Sequence, residues 1–186
     1  NDRANYDLVI NSTYNQLNAI LDNSDKIELQ FELVEKCVIK TPDHLKMNSI
    51  VILDGDYCCI DPCTTTDING DYISVLGHVK HAVLQRNVGT EYNVPDEFKS
   101  LVNHGSVDFP DSNHSLILSG CNQFINLGDH PKYLCSFYVV RAVLPYHDHD
   151  DSRPSKIIKH SDQLYSIFGG KIGTSVSTAN DLIKMI

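Results

Sequence analysis

The sequence predicts an α+β domain: an antiparallel β-meander core with an N-terminal helix before it and two C-terminal helices after it. Three observations carry this. Ile10, Tyr14, Leu17 and Leu21 recur at helical spacing near the start. Strand-like segments between Ser49 and Gln85 are joined by Asp54-Gly55 and Asn69-Gly70, the dipeptides of tight hairpins. Two further apolar periodicities follow Pro154. The 186 residues fit one domain spanning residues 1–186.

In chain order, the helix over 10–21 ends at Asn23-Ser24-Asp25. The stretch Ile27-Glu28-Leu29-Gln30-Phe31-Glu32-Leu33 alternates strictly and predicts a half-buried strand with an acidic outer face. Ile50–Leu53 and Asp56–Ile60 form the first hairpin, and Thr64–Thr66 and Tyr72–Leu76 the second. Both turns are expected to be type I′. Pro62 marks a bulge or an edge in the middle segment. Pro95 opens a short helix to Leu101. Leu116-Ile117-Leu118 and Phe124-Ile125 read as short strands, and Tyr133–Leu144 as a central one.

After the polar loop His147–Asp151, Pro154 begins a helix whose Ile157, Ile158, Leu164, Tyr165 and Phe168 share a face. Gly169-Gly170 ends it, and a last helix runs from about Thr178 to Ile186. The expected core includes Phe31, Ile52, Phe137, Val139, Leu164 and Phe168.

Fifteen Lys and Arg stand against 24 Asp and Glu, a net charge of −9. That balance argues against nucleic acid, whose binding needs a cationic surface. It also argues against anionic lipid, and no apolar run is long enough for membrane insertion. The six cysteines are read as reduced thiols of a cytoplasmic protein, since the chain is long enough to fold around an apolar core. An opening at Asn1 fits processing from a viral polyprotein or another precursor.

Two chemical constellations, and beside them one polar loop, present themselves. Cys59 and Cys63 lie four apart, and His78 and His81 three apart. The meander can bring the pairs together, and two thiolates with two imidazoles suit a structural zinc. The loop His147-Asp148-His149-Asp150-Asp151 offers donors for a cation, or simply a solvated cap for the next helix.

Cys121 follows Ser119-Gly120 and is the second constellation's nucleophile, with His44, His78 or His81 upstream as base. This order resembles that of chymotrypsin-like viral cysteine proteases. Here Asn122 stands where that family has Gly, and no Gly-x-His follows. Gly70–Ile73 with Lys80–Leu84 resembles the histidine strand of circularly permuted papain-like enzymes, with Ala179 at the position of their cysteine. The resemblance implies a cysteine–histidine hydrolase with His81 as base.

Each constellation lacks a partner that its chemistry requires. The reading adopted is a non-catalytic structural or protein-interaction domain without a cofactor, acting on a protein partner and compatible with a homo-oligomer. A cysteine–histidine hydrolase and a small zinc-binding domain are the alternatives.

Overall fold

Residues 6–53, 57–106, 109–146 and 153–186 are described in a computed structural model of the chain. Strands dominate it, so the α+β expectation is corrected to a mostly β fold with two sheets and few helices. The chain divides into two compact units. One comprises residues 1–31, 87–92 and 141–186, the other residues 32–86 and 93–140. The loop His147–Asp151 and the Asp54-Gly55 turn lie outside the described residues.

In the first unit, β1 (Val9–Asn11) runs parallel to β10 (Leu164–Phe168), which pairs antiparallel with β9 (Lys156–Lys159). The order of this sheet is β1-β10-β9. The expected N-terminal helix is replaced by β1 and a 3-10 segment, Tyr14–Ile20. Asn11 is the reason. Its buried amide donates to the Leu17 carbonyl and to Ser166 Oγ, while its Oδ1 accepts the Thr13 N–H and hydroxyl. An Asn that bonds its neighbours' backbone competes with helix at that point.

The expected helix after Pro154 is likewise corrected to the hairpin β9–β10, closed by the His160 N–H on the Leu164 carbonyl at 2.9 Å. Ile157, Ile158 and Ile167 are β-branched, and each run is short enough that helical spacing and a hairpin place similar residues inward. The final helix forms as expected, as α2 (Ser175–Met185).

The second sheet has the order β3-β4-β5-β2-β8-β7, with β6 also pairing β2. Its strands are β2 (Leu29–Lys40), β3 (Ile50–Val51), β4 (Cys58–Thr66), β5 (Tyr72–His78), β6 (Val83–Gly89), β7 (Gly105–Ser106) and β8 (Tyr133–Val143). The predicted meander is present: Ile50 faces Ile60, and β4 faces β5 antiparallel with an irregularity after Pro62. The second turn is not type I′. Gly70 has φ +79° and its N–H bonds the Asp67 carbonyl, while the Asp67 N–H bonds the Asp71 carbonyl. That is a three-residue loop with glycine at the left-handed position.

β2 lies inside the sheet and has no acidic outer face, because both Glu32 and Glu35 are buried. Arg86 Nε meets Glu32 Oε1 at 3.0 Å. Leu116-Ile117-Leu118, read as a short strand, instead lies in α1 (His114–Asn122), and Phe124-Ile125, read as another, lies in the turn that follows it. Its Ile117 and Cys121 join Val34, Cys37, Ile39, Cys58, Ile60 and Leu76 in the core of the second unit. Phe31, Leu164 and Phe168 are buried as expected. Ile52, Phe137 and Val139 are half-buried, since the strand presents Ser136 and Tyr138 as its buried positions.

Gly120 sets how closely α1 approaches β5. A Cβ there would lie 2.4 Å from His78 Nε2. Gly120→Ala gains about 1 kcal/mol of helix propensity. Overpacking against the buried His78 ring costs about 1–3 kcal/mol. The clash wins, so the urea midpoint should fall with an unchanged slope; a rise in the midpoint would show that the ring yields freely.

Candidate functional site

The hairpin register decides the fate of the predicted metal quartet. Cys58 pairs with His78, and Cys59 with Gly77. Residues directly opposite share a face, and neighbours along a strand do not. His78 is therefore on the Cys58 side, toward Gly120 of α1, and Cys59 is on the other side. A Cβ on Gly77 would lie 3.0 Å from Cys59 Sγ and 2.7 Å from Lys36 Nζ, which places Cys59 beside Lys36.

His78 and His81 do come together, with ring centroids 4.6 Å apart, because the chain turns between them and the Ala82 N–H bonds the His78 carbonyl. Cys63 lies beyond Pro62, where the register shifts. Among the described residues no group of three or more His, Cys, Asp or Glu is placed to hold a metal ion.

Cys121 is not on an exposed turn. It sits in α1, fully buried, with its thiol directed at the Gly77 carbonyl 3.6 Å away. Burial first, and the neighbouring Cys58 second, push its pKa far up. Cys37 is raised by burial from 9.0 to about 12. All six cysteines are free thiols. A nucleophilic cysteine needs the opposite environment, one that favours thiolate. Ala179 falls in the second turn of α2, not at its start.

The best-formed polar cluster was not singled out from the sequence. Glu35 on β2 is fully buried. Its Oε1 accepts the Ser112 and Ser136 hydroxyls, each at 2.5 Å, and its Oε2 accepts the Asn113 N–H at 2.6 Å. Tyr133 donates to Ser136 Oγ at 3.0 Å. Ser112 Oγ accepts the His114 N–H and lies 3.0 Å from His114 Nδ1. The His114 ring stacks on Tyr133 at 4.2 Å.

Ser112 has one proton, and Glu35 takes it, so His114 Nδ1 must be the donor in its contact with Ser112. A hydrolytic triad needs the reverse order, with the imidazole between hydroxyl and carboxylate. This arrangement clamps the start of α1 to β2 and β8. The signal available in the sequence was Glu32 and Glu35 inside an otherwise apolar stretch from Leu29 to Ile39. Buried carboxylates require donors, but the donors lie 77 to 101 residues away in the chain.

The first unit carries a groove of about 980 Å³ along α2. Its walls include Ile10, Tyr14, Ile167, Ile172, Leu182 and Ile183, with Lys171 as the one ionisable cation among the lining residues and no carboxylate side chain. Tyr14 holds φ +58°, a conformation that costs a bulky residue about 1–3 kcal/mol. It is fixed there by stacking on Phe168 at 6.1 Å and by accepting the Ala142 N–H on its hydroxyl at 3.3 Å.

The raised thiols have a measurable consequence. Folded Cys37 keeps its proton between pH 9.0 and about 12, where an unfolded thiol loses it. The unfolded state then binds fewer protons, so stability falls as pH rises through that window. Below pH 9 this contribution is intact. Alkylation of the native chain at neutral pH should leave Cys37 and Cys121 unmodified while denaturant exposes both; rapid native labelling of Cys121, read by peptide mass, would contradict the buried placement.

Compared with protein-family models and with curated proteins, the chain matches none, so the functional reading rests on the geometry above.

Proposed function

We propose that the protein is a non-catalytic interaction domain whose working surface is the groove along α2. One observation carries this: an apolar groove that the fold leaves open. Ile172 is 93% exposed, Val176 72%, Ile183 65% and Ile186 60%. Apolar surface gathered around a concavity marks a contact site far more often than scattered exposure does. The strained Tyr14 on the wall supports the same reading, because strain of that kind persists where function requires it.

The occupant is an apolar segment of a partner protein. The absence of an ionisable pair in the groove speaks for contact and not for turnover, since acid–base chemistry needs a group that changes its proton near neutral pH. The net charge of −9 argues against nucleic acid as the partner. Free thiols suit a reducing compartment such as the cytoplasm. Among the described residues no helix is long and apolar enough to cross a membrane.

The double variant Ile172→Asp, Ile183→Asp tests the surface without disturbing the core, because both side chains are exposed. An apolar fluorescent dye should bind the native protein saturably and lose that binding in the variant. The thermal midpoint should stay within the shift expected for about 0.5 kcal/mol per surface change. Equal dye binding by both proteins would remove the groove as the working surface.

A further inference from the structure

The groove differs along its length, and the difference is electrical. The loop before α2 and its first turn supply Lys171 and Ser175, Ser155 ahead of β9 joins them through its hydroxyl contact with Thr174, and the far end is walled by Leu182, Ile183 and Ile186. The first turn of a helix carries the positive end of its dipole. Lys171 is exposed, and among the described residues its ammonium has no carboxylate partner. Of the other lysines in residues 153–186, Lys159 holds Asp162 at 2.8 Å and Lys184 holds Asp181 at 2.9 Å, while Lys156 on β9 is exposed.

Charge is also segregated along the chain. Residues 153–186 contain five cations and two carboxylates, whereas the preceding residues contain ten cations and 22 carboxylates. Most of the groove's wall thus comes from a stretch with more cations than carboxylates. Lys171, the one ionisable cation in the lining, lies at one end of an apolar channel.

We propose that the groove binds an amphipathic helical segment of a partner protein, with an acidic residue at the end that meets Lys171 and the start of α2. The inference rests on the contact reading and adds the chemistry of the occupant. Apolar side chains at i, i+3 or i+4, and i+7 fill the channel, and the carboxylate fixes the direction in which the segment lies. A second copy of this chain fits less well: Asp181, the one carboxylate side chain on α2, is already held by Lys184 at 2.9 Å, so a two-fold contact along that helix gives Lys171 no free acid.

A displayed library of random peptides about four helical turns long tests this. It is selected in parallel on the native chain, on Lys171→Glu and on the double variant Ile172→Asp, Ile183→Asp. Peptides enriched on the native chain should carry the apolar spacing with Asp or Glu clustered at one end. A synthetic copy should bind Lys171→Glu about tenfold more weakly, and peptides selected on that variant should carry Lys or Arg there instead.

Enrichment of apolar peptides with no acidic bias overturns the charge inference and leaves the contact reading in place. Peptides enriched equally on the native chain and the double variant overturn the contact reading itself. Self-association of the native chain that Ile183→Asp abolishes, or displacement of the dye by laurate with no peptide enriched, overturns the proposal in favour of a second copy or an acyl ligand.

Discussion

A carboxylate withdrawn from water is costly, and Glu35 in the second unit is tolerated because three donors converge on it. The effective penalty for such an ion is several kcal/mol. A hydrogen bond to a charged group returns about 1.5–3 kcal/mol, so three such bonds are enough to offset it, and two would be marginal. The donors are the Ser112 hydroxyl in the loop before α1, the backbone amide of Asn113, the residue that caps that helix, and the Ser136 hydroxyl on β8. Remove any one, and a buried charge is left short of partners. This single group therefore ties together the elements whose packing brings Gly120 against His78 and Cys121 into the core.

That arrangement shapes what the chain can do. The clamp draws the Ser112 proton toward a carboxylate and leaves His114 as a donor, so the nearest approach to a catalytic triad is wired in the wrong order. The same docking of α1 buries Cys121 and raises its pKa, which removes thiolate at neutral pH. The hairpin register separates Cys59 from His78. In one unit, then, Cys59 and His78 stand on opposite faces and Cys121 is buried, while in the other an apolar groove stands open.

Local signals in the sequence survived where they needed no distant partner. The meander followed from its turn residues and alternation, and a final helix was legible too, although it starts earlier than read, at Ser175 behind Thr174. What failed was non-local. Leu116-Ile117-Leu118 is helical because an anion 78 residues upstream sits at the helix start, a partner that no window of sequence contains. The run from Lys156 to Phe168 folds as a hairpin because β10 also pairs with β1. Asn11 lies within the span read as a helix, yet its side chain organises the segment around it as something else. The groove was out of reach for a related reason: its walls come from residues around 10–14, 155 and 167–186, whose meeting depends on that same sheet.

The central claim is that the Glu35 clamp holds the cysteine and histidine chemistry shut. Native-state hydrogen exchange on Glu35→Gln, followed together with the alkylation rate of Cys121, tests it most directly. Replacing one oxygen by an amide leaves a donor facing donors, so the amides of residues 113–122 should exchange faster than in the native chain. Cys121 should become reactive in step with them, while the amides of β9 and β10 keep their protection. Unchanged exchange across α1, with Cys121 still protected, would show that the helix is held by its apolar contacts alone and would contradict the account.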